Sequence, residues 1–361
     1  MAKQSLLTEY HRRHNAIFVE QDGWLLPDYF GDAGAEYESV RKSAGLLDRS
    51  HRALLRFTGP DRVSFLQGML SNDVRALKVY DGQAATILTQ QGKIVADVRV
   101  LCAMNSIYLD FWDSLKDKIL AHLKRYLVAD EVEISDPNDQ WKIFSLQGPC
   151  GQNILGGLFG RGELPAKLNQ HAILQFDNAP VCVVRADHTG FNGFDLVVQN
   201  AQLLDLAERL TKLGAVWIGA STENILRVEA GIPLYGVDFS EDNLLLEVGL
   251  EHAYSYTKGC YLGQEVVERI RSRGHVNRKL CGLLCDGAIP ASANDKILAG
   301  DHEVGRITSA VASLALNRPI ALAYLHKDIC APGTRLTVSH GDQAIAATVS
   351  PLPFVSPPAS S

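Results

Sequence analysis

The sequence is poor in the marks of several function classes. None of its seven cysteines forms a CxxC pair, the common thiol signature of zinc sites and thioredoxin-type redox centres. The count is odd and the spacing wide, so reduced thiols in a cytosolic-type compartment are expected rather than a disulfide framework. Cys281 and Cys285 stand in an apolar run, where a free cysteine packs as a small hydrophobe. No apolar run reaches the ~18 residues that a membrane span needs. The first residues are polar and include Glu9, unlike a signal or transit peptide. A net charge of −6 argues against a nucleic-acid partner, whose phosphates favour a basic surface. The expectation is a soluble, cytoplasmic protein with no metal site and no nucleic-acid or membrane partner.

What is present is ordinary globular material, 46% hydrophobic and 21% charged over 361 residues. That length predicts two or three domains. Residues 53–57 read as a strand stopped by Thr58-Gly59-Pro60, and Val63, Leu66 and Leu70 form one face of a helix. Residues 84–101 alternate as a hairpin turned at Gln90-Gln91-Gly92-Lys93. Strands over 107–111 and 132–134 flank an amphipathic helix over 115–128. A second strand–Gly-Pro–helix unit begins at Trp141, so two copies of one unit are expected. The glycine-rich stretch 156–162 reads as a loop, since no phosphate-loop context surrounds it. His188-Thr189-Gly190-Phe191-Asn192-Gly193 joins two strands, and helices are expected over 201–213 and 221–230. From residue 279 short apolar strands alternate with Gly, Asp and Pro, which predicts a small β-barrel of about 70 residues.

The densest chemistry lies in Lys258-Gly259-Cys260-Tyr261-Leu262-Gly263-Gln264-Glu265. A thiolate is favoured beside a cation, and in an extended stretch Lys258 and Cys260 share a face. A reactive thiol and a buried cysteine in a tight turn remain equally compatible with these residues. Glu265 and Glu268 with Arg269, Arg271 and Arg273 form either a solvated helix face or a cationic rim for an anionic ligand tail. Asp195 opens a strand after a glycine loop, and such a carboxylate can accept a bidentate bond from a guanidine-like edge. Asp97 is the one acid among the apolar neighbours of residues 94–101, on the face of Arg99, where it could be exposed and paired with that arginine.

Together these blocks resemble the YgfZ branch of the YgfZ/GcvT folate-binding family. The motif at 258–265 is similar to the branch signature. Asp48-Arg49-Ser50-His51-Arg52, Thr189 to Asp195, and Leu226-Arg227-Val228-Glu229-Ala230-Gly231 resemble further blocks, in colinear order over about residues 40–330. The resemblance implies an α+β fold with three domains in a cloverleaf around a central folate-binding hole and a C-terminal small β-barrel. The expected division is an N-terminal arm over 1–45, a first α/β part over 46–139, a second over 140–275, a barrel over 276–350 and a disordered tail over 351–361. It implies tetrahydrofolate, or a one-carbon derivative, as cofactor. Asp195 would meet the pterin edge with Arg227 near the same ring, and Asp97, Tyr261, Gln264 and Glu265 complete the expected cofactor-binding set. Cys260 and Lys258 are the expected catalytic residues, and the loop carrying them would face the folate hole.

One departure matters for function. Aminomethyltransferases resemble Gly-Gly-(V/I)-(I/L)-Asp-Asp in the hairpin, and this chain has Ala96 for the first acid while Asp97 keeps the second. That weakens aminomethyl transfer, which needs an acid near the folate amines. The leading expectation is therefore a folate-binding factor for iron–sulfur protein assembly or repair, with iron–sulfur clients as partners. A folate-dependent aminomethyltransferase is the alternative, and a ligand-free scaffold a third reading.

Overall fold

The computed structural model describes residues 2–160, 164–274, 276–288 and 290–356. Two sheets with helices on their outer faces make the body. In the first, the strands run in the order Gly82–Leu88, Ile94–Cys102, Ile107–Trp112, Arg52–Thr58 and Glu133–Ser135. Helices Arg62–Met69 and Lys116–Tyr126 bury Phe65, Leu66, Ile119 and Leu123 against it. In the second, the order is His171–Phe176, Ala179–Ala186, Gly193–Gln199, Trp141–Gln147, Gly45–Asp48 and Val216–Trp217. Helices Gly151–Phe159 and Leu203–Lys212 cover it. Strand Gly45–Asp48, at the edge of the expected N-terminal arm, thus lies in the second sheet.

The repeat expected from the two Gly-Pro corners has a steric basis. Gly59 and Gly148 both adopt positive φ, +98° and +129°. A Cβ would fall 2.1 Å from the Glu131 carbonyl oxygen at Gly59 and 2.5 Å from that of Ser43 at Gly148. Only glycine fits such a close backbone approach.

The inner faces of the two sheets meet through Leu54, Leu101, Ile143, Val184 and Val197. This seam sets side chains of strands Ile94–Cys102 and Gly193–Gln199 across from one another. The third unit is a closed six-stranded barrel, as the strand texture after residue 279 predicts. Helix Ala220–Glu229 joins it to the body through Val228, which packs on Val311, Ile320 and Leu322.

Two expectations need correction. Residues 351–356 are not a loose tail. Leu352 and Phe354 pack beside Val228 and Ile320, and the Phe354 and Val355 amides donate to the Glu229 carbonyl at 2.9 and 3.0 Å. The four prolines of 351–361 give that stretch a disordered composition, but Leu352 and Phe354 find a ready surface. Residues 357–361 lie outside the described residues. The stretch expected as a loop from 156 continues as helix to Phe159, and 161–163 lie outside the described residues.

Candidate functional site

A cavity of about 220 Å³ opens where the two sheets, helix Ala220–Glu229 and the segment after it converge. Four arginines line it: Arg49, Arg52, Arg99 and Arg227. Each is paired with a carboxylate. Arg49 meets Glu223 at 2.6 Å, Arg52 meets Asp110 at 2.9 Å, Arg227 meets Asp238 at 2.7 Å, and Arg99 bridges Asp110 and Asp195. Leaving any of these cations buried without its partner would be costly.

Asp97 differs from the other acids. It projects from the middle of strand Ile94–Cys102 into the cavity. Among the described residues it is the one carboxylate with a buried oxygen that has no hydrogen-bond partner. Burial pushes its pKa up, only partly opposed by the charge of Arg52. The side chain is half-buried with one oxygen enclosed and unpaired, and a carboxyl so placed and held above its ordinary pKa is suited to carrying a proton. The reading of Asp97 as exposed and paired with Arg99 is corrected, because Arg99 is drawn to Asp110 and Asp195 instead.

Ala96 points the other way. It is fully buried among Ala53, Leu55, Phe57 and Leu109 in the core under the helices. Period-two alternation along the strand separates the two positions. An acid at 96 would lie in that core and not in the cavity, so the missing first acid removes nothing from the site. The inference drawn from Ala96 against aminomethyl transfer is overturned by this geometry.

Asp195 is buried in strand Gly193–Gln199 and lines the cavity. Its two oxygens are occupied. Arg99 Nη1 donates to Oδ2 at 2.6 Å, and His188 Nε2 lies 2.9 and 3.1 Å from Oδ1 and Oδ2. Burial acts to raise this carboxyl, but the charges of His188 and Arg99 outweigh it and hold the pKa well below the usual range. Arg227 also lines the cavity, yet its terminal nitrogens are spent on Asp238, the Ile232 carbonyl and Ser309. It fastens helix, loop and barrel together, and only its Nε lacks a partner. Arg99 and His188 complete the site without having been singled out. The alternation of residues 94–101 placed Arg99 beside Asp97, whereas a histidine within a glycine loop carries no sequence signal.

The 258–265 motif is elsewhere, and none of its residues lines the cavity. Lys258 is 6% exposed. Its Nζ donates to the carbonyls of Gln67, Leu70 and Asn72 at 2.5–2.9 Å. These carbonyls lie at or just past the end of helix Arg62–Met69, where backbone acceptors run out of intrahelical donors. Burial pushes the lysine pKa down to about 8, and three carbonyl acceptors favour its charged form. Its expected catalytic role is corrected to that of a cap.

Cys260 is exposed while Lys258 is buried, so the two do not share a face. Tyr261 is buried with Leu88, Ile94, Phe239 and Val267, its ring 4.9 Å from the Lys258 ammonium. Gln264 and Glu265 begin helix Gln264–Arg273, and Glu265 pairs at the surface with Arg269. Tyr261, Gln264 and Glu265 are therefore corrected as cofactor contacts. The reason is Gly263, at φ +85°, which presses onto the hairpin turn: a Cβ there would be 2.5 Å from the Thr89 carbonyl oxygen. The motif clamps the turned end of the hairpin, while Asp97 sits further along it.

Two family descriptions match this chain: the GCVT N-terminal domain over residues 7–258 and the glycine cleavage T-protein C-terminal barrel domain over 278–356. The chain belongs to the GCVT family. An aminomethyltransferase from Rubrobacter xylanophilus is 32% identical over 98% of this chain and 94% of its own length. One from Thermus thermophilus is 31% identical over 98% and 99%. The crystal structure of the glycine cleavage system aminomethyltransferase T from Bartonella henselae superposes with a TM-score of 0.91, covering 99% of both chains at 24% identity. The fold is thus the α+β aminomethyltransferase-like arrangement with its closed C-terminal barrel. Among the described residues, no helix is long and apolar enough to cross a membrane.

Proposed function

We propose that this protein is a tetrahydrofolate-dependent aminomethyltransferase, with Asp97 as the acid–base group. The observation that carries this reading is the enclosed, partnerless Asp97 oxygen in a cavity whose four arginines are each paired with another carboxylate. The names of the family relatives support the reaction class. This reading replaces the iron–sulfur factor as the leading one, because Ala96 no longer counts against it.

The residues fit a reduced pterin. The cavity's ~220 Å³ lies just under the usual 300–1,000 Å³ range of ligand pockets and suits one fused ring rather than a whole folate. An adjoining cleft of about 380 Å³ shares Trp112, Glu223, Arg227 and Leu234 and gives the remainder a path out. Asp195 would accept from the amino-pyrimidine edge, and the partnerless Nε groups of Arg49, Arg99 and Arg227 would donate to ring acceptors. The bound folate would supply an amine nitrogen that takes up the one-carbon unit. Asp97, whose hold on a proton burial strengthens, would give a proton to the departing amine and recover one from the attacking nitrogen.

Binding is tested by unfolding the protein with and without tetrahydrofolate. At 100 times its dissociation constant the ligand should stabilise by about 2.7 kcal/mol. A shift absent across a wide concentration range would contradict the proposal and favour a ligand-free scaffold.

A second reading rests on a different observation. Cys260 is exposed on a motif that resembles the YgfZ signature, so its thiol is accessible to a partner protein. That reading makes the chain a folate-binding factor for iron–sulfur clients. It requires Cys260→Ala to abolish support of iron–sulfur enzyme activity in a null strain, whereas the aminomethyltransferase reading leaves turnover of this variant intact.

A further inference from the structure

Asp195 is the residue best placed to read a ligand's paired N–H donors, yet its oxygens already hold two cationic side chains. The two are not equally committed. Arg99 is buried, and its guanidinium also binds Asp110, which in turn holds Arg52 at 2.9 Å. This chain of charges, Asp195–Arg99–Asp110–Arg52, crosses from the second sheet to the first. Withdrawing Arg99 would leave two buried carboxylates without their shared cation, a loss that a ligand would have to offset.

His188 is held differently. Its backbone amide donates to Gln147 Oε1 at 3.0 Å, but its ring hydrogen-bonds Asp195 alone among the described residues. The side chain is 29% exposed, so a ring leaving Asp195 regains water on one side. Its loop turns at Gly190, φ +81°. The imidazole also fills part of the space. With the ring in place the cavity holds about 220 Å³, short of the ~300 Å³ at the lower end of ligand pockets.

We propose that His188 is a ligand-displaced latch: its ring occupies both oxygens of Asp195 until a ligand presenting two adjacent N–H donors takes its place, while Arg99 stays and keeps the carboxylate ionised and oriented. The latch makes Asp195 selective. His188 reaches both oxygens with its one Nε2, so a ligand with a single donor gains no more than it displaces and leaves the histidine in competition. A bidentate donor, such as an amino-pyrimidine edge, replaces both. This rests on the folate reading for the identity of the ligand.

The test compares tetrahydrofolate binding to wild type, His188→Ala, Arg99→Met and Asp195→Asn by calorimetry, with the His188 ring signals followed by NMR in the wild type. Removing a competitor worth one charge-assisted hydrogen bond should tighten binding about tenfold in His188→Ala. Asp195→Asn and Arg99→Met should each weaken it, and the His188 ring signals should shift on ligand addition. If wild type binds and His188→Ala binds equally or more weakly, the latch is refuted while the folate reading stands. Unshifted ring signals in a saturated wild type refute it as well. If folded wild type and His188→Ala both fail to bind, the folate reading falls and the latch with it.

Discussion

Lys258 is buried and its ammonium is held by three backbone carbonyls, whereas Asp97 faces the cavity with one oxygen unpartnered. Lys258 stood in the most distinctive motif, beside a thiol, and its chemistry turned out to be that of a helix cap. Nothing in the residue order reveals that three carbonyls wait for it, because Gln67, Leu70 and Asn72 are some 190 positions away. Lys258→Met should leave those acceptors without their donor and cost about 1–3 kcal/mol, read by denaturant unfolding, with turnover of the folded fraction unchanged. A stable variant that loses turnover a hundredfold would restore a catalytic lysine. Asp97, by contrast, was legible as the odd acid of its strand. Its facing was legible too, since alternation separates it from Ala96. The enclosure of one of its oxygens was not, because that depends on the second sheet closing over the first.

At the level of elements, the hairpin Gly82–Leu88 and Ile94–Cys102 was readable almost to the residue. Alternation and the Gln-Gln-Gly-Lys turn are local signals. What holds its far end was not readable. Gly263 packs against the Thr89 carbonyl and Gly92 against Val266, a contact between segments far apart in sequence. Gly263→Ala would introduce both a strained φ and a clash with backbone. It should destabilise by about 1–3 kcal/mol, with faster amide exchange at residues 89–95 as the local signature. Wild-type stability and exchange in that variant would show that the motif does not clamp the hairpin.

Across the whole molecule, repeat, barrel and order of units could be read from glycine corners and strand texture. The site could not, because it exists only where two sheets converge and Arg99 spans the seam between them. The terminal segment shows the same limit. Its composition reads as disordered, but Leu352 and Phe354 tie the barrel to helix Ala220–Glu229. The most direct test of the proposed function is formation of methylene-tetrahydrofolate from an aminomethyl-lipoyl carrier by wild type and Asp97→Asn. A carboxyl with a raised pKa, as Asp97 has, favours the native state at low pH, and that contribution is lost as pH rises through its folded value. Replacing it with a neutral amide should therefore leave the variant at pH 7 at least as stable as wild type. With folding thus controlled, wild type should turn over and Asp97→Asn should be slower by about 10²–10⁴-fold, the usual size of an acid–base contribution. Equal rates in the two proteins, or no turnover by well-folded wild type, would contradict it.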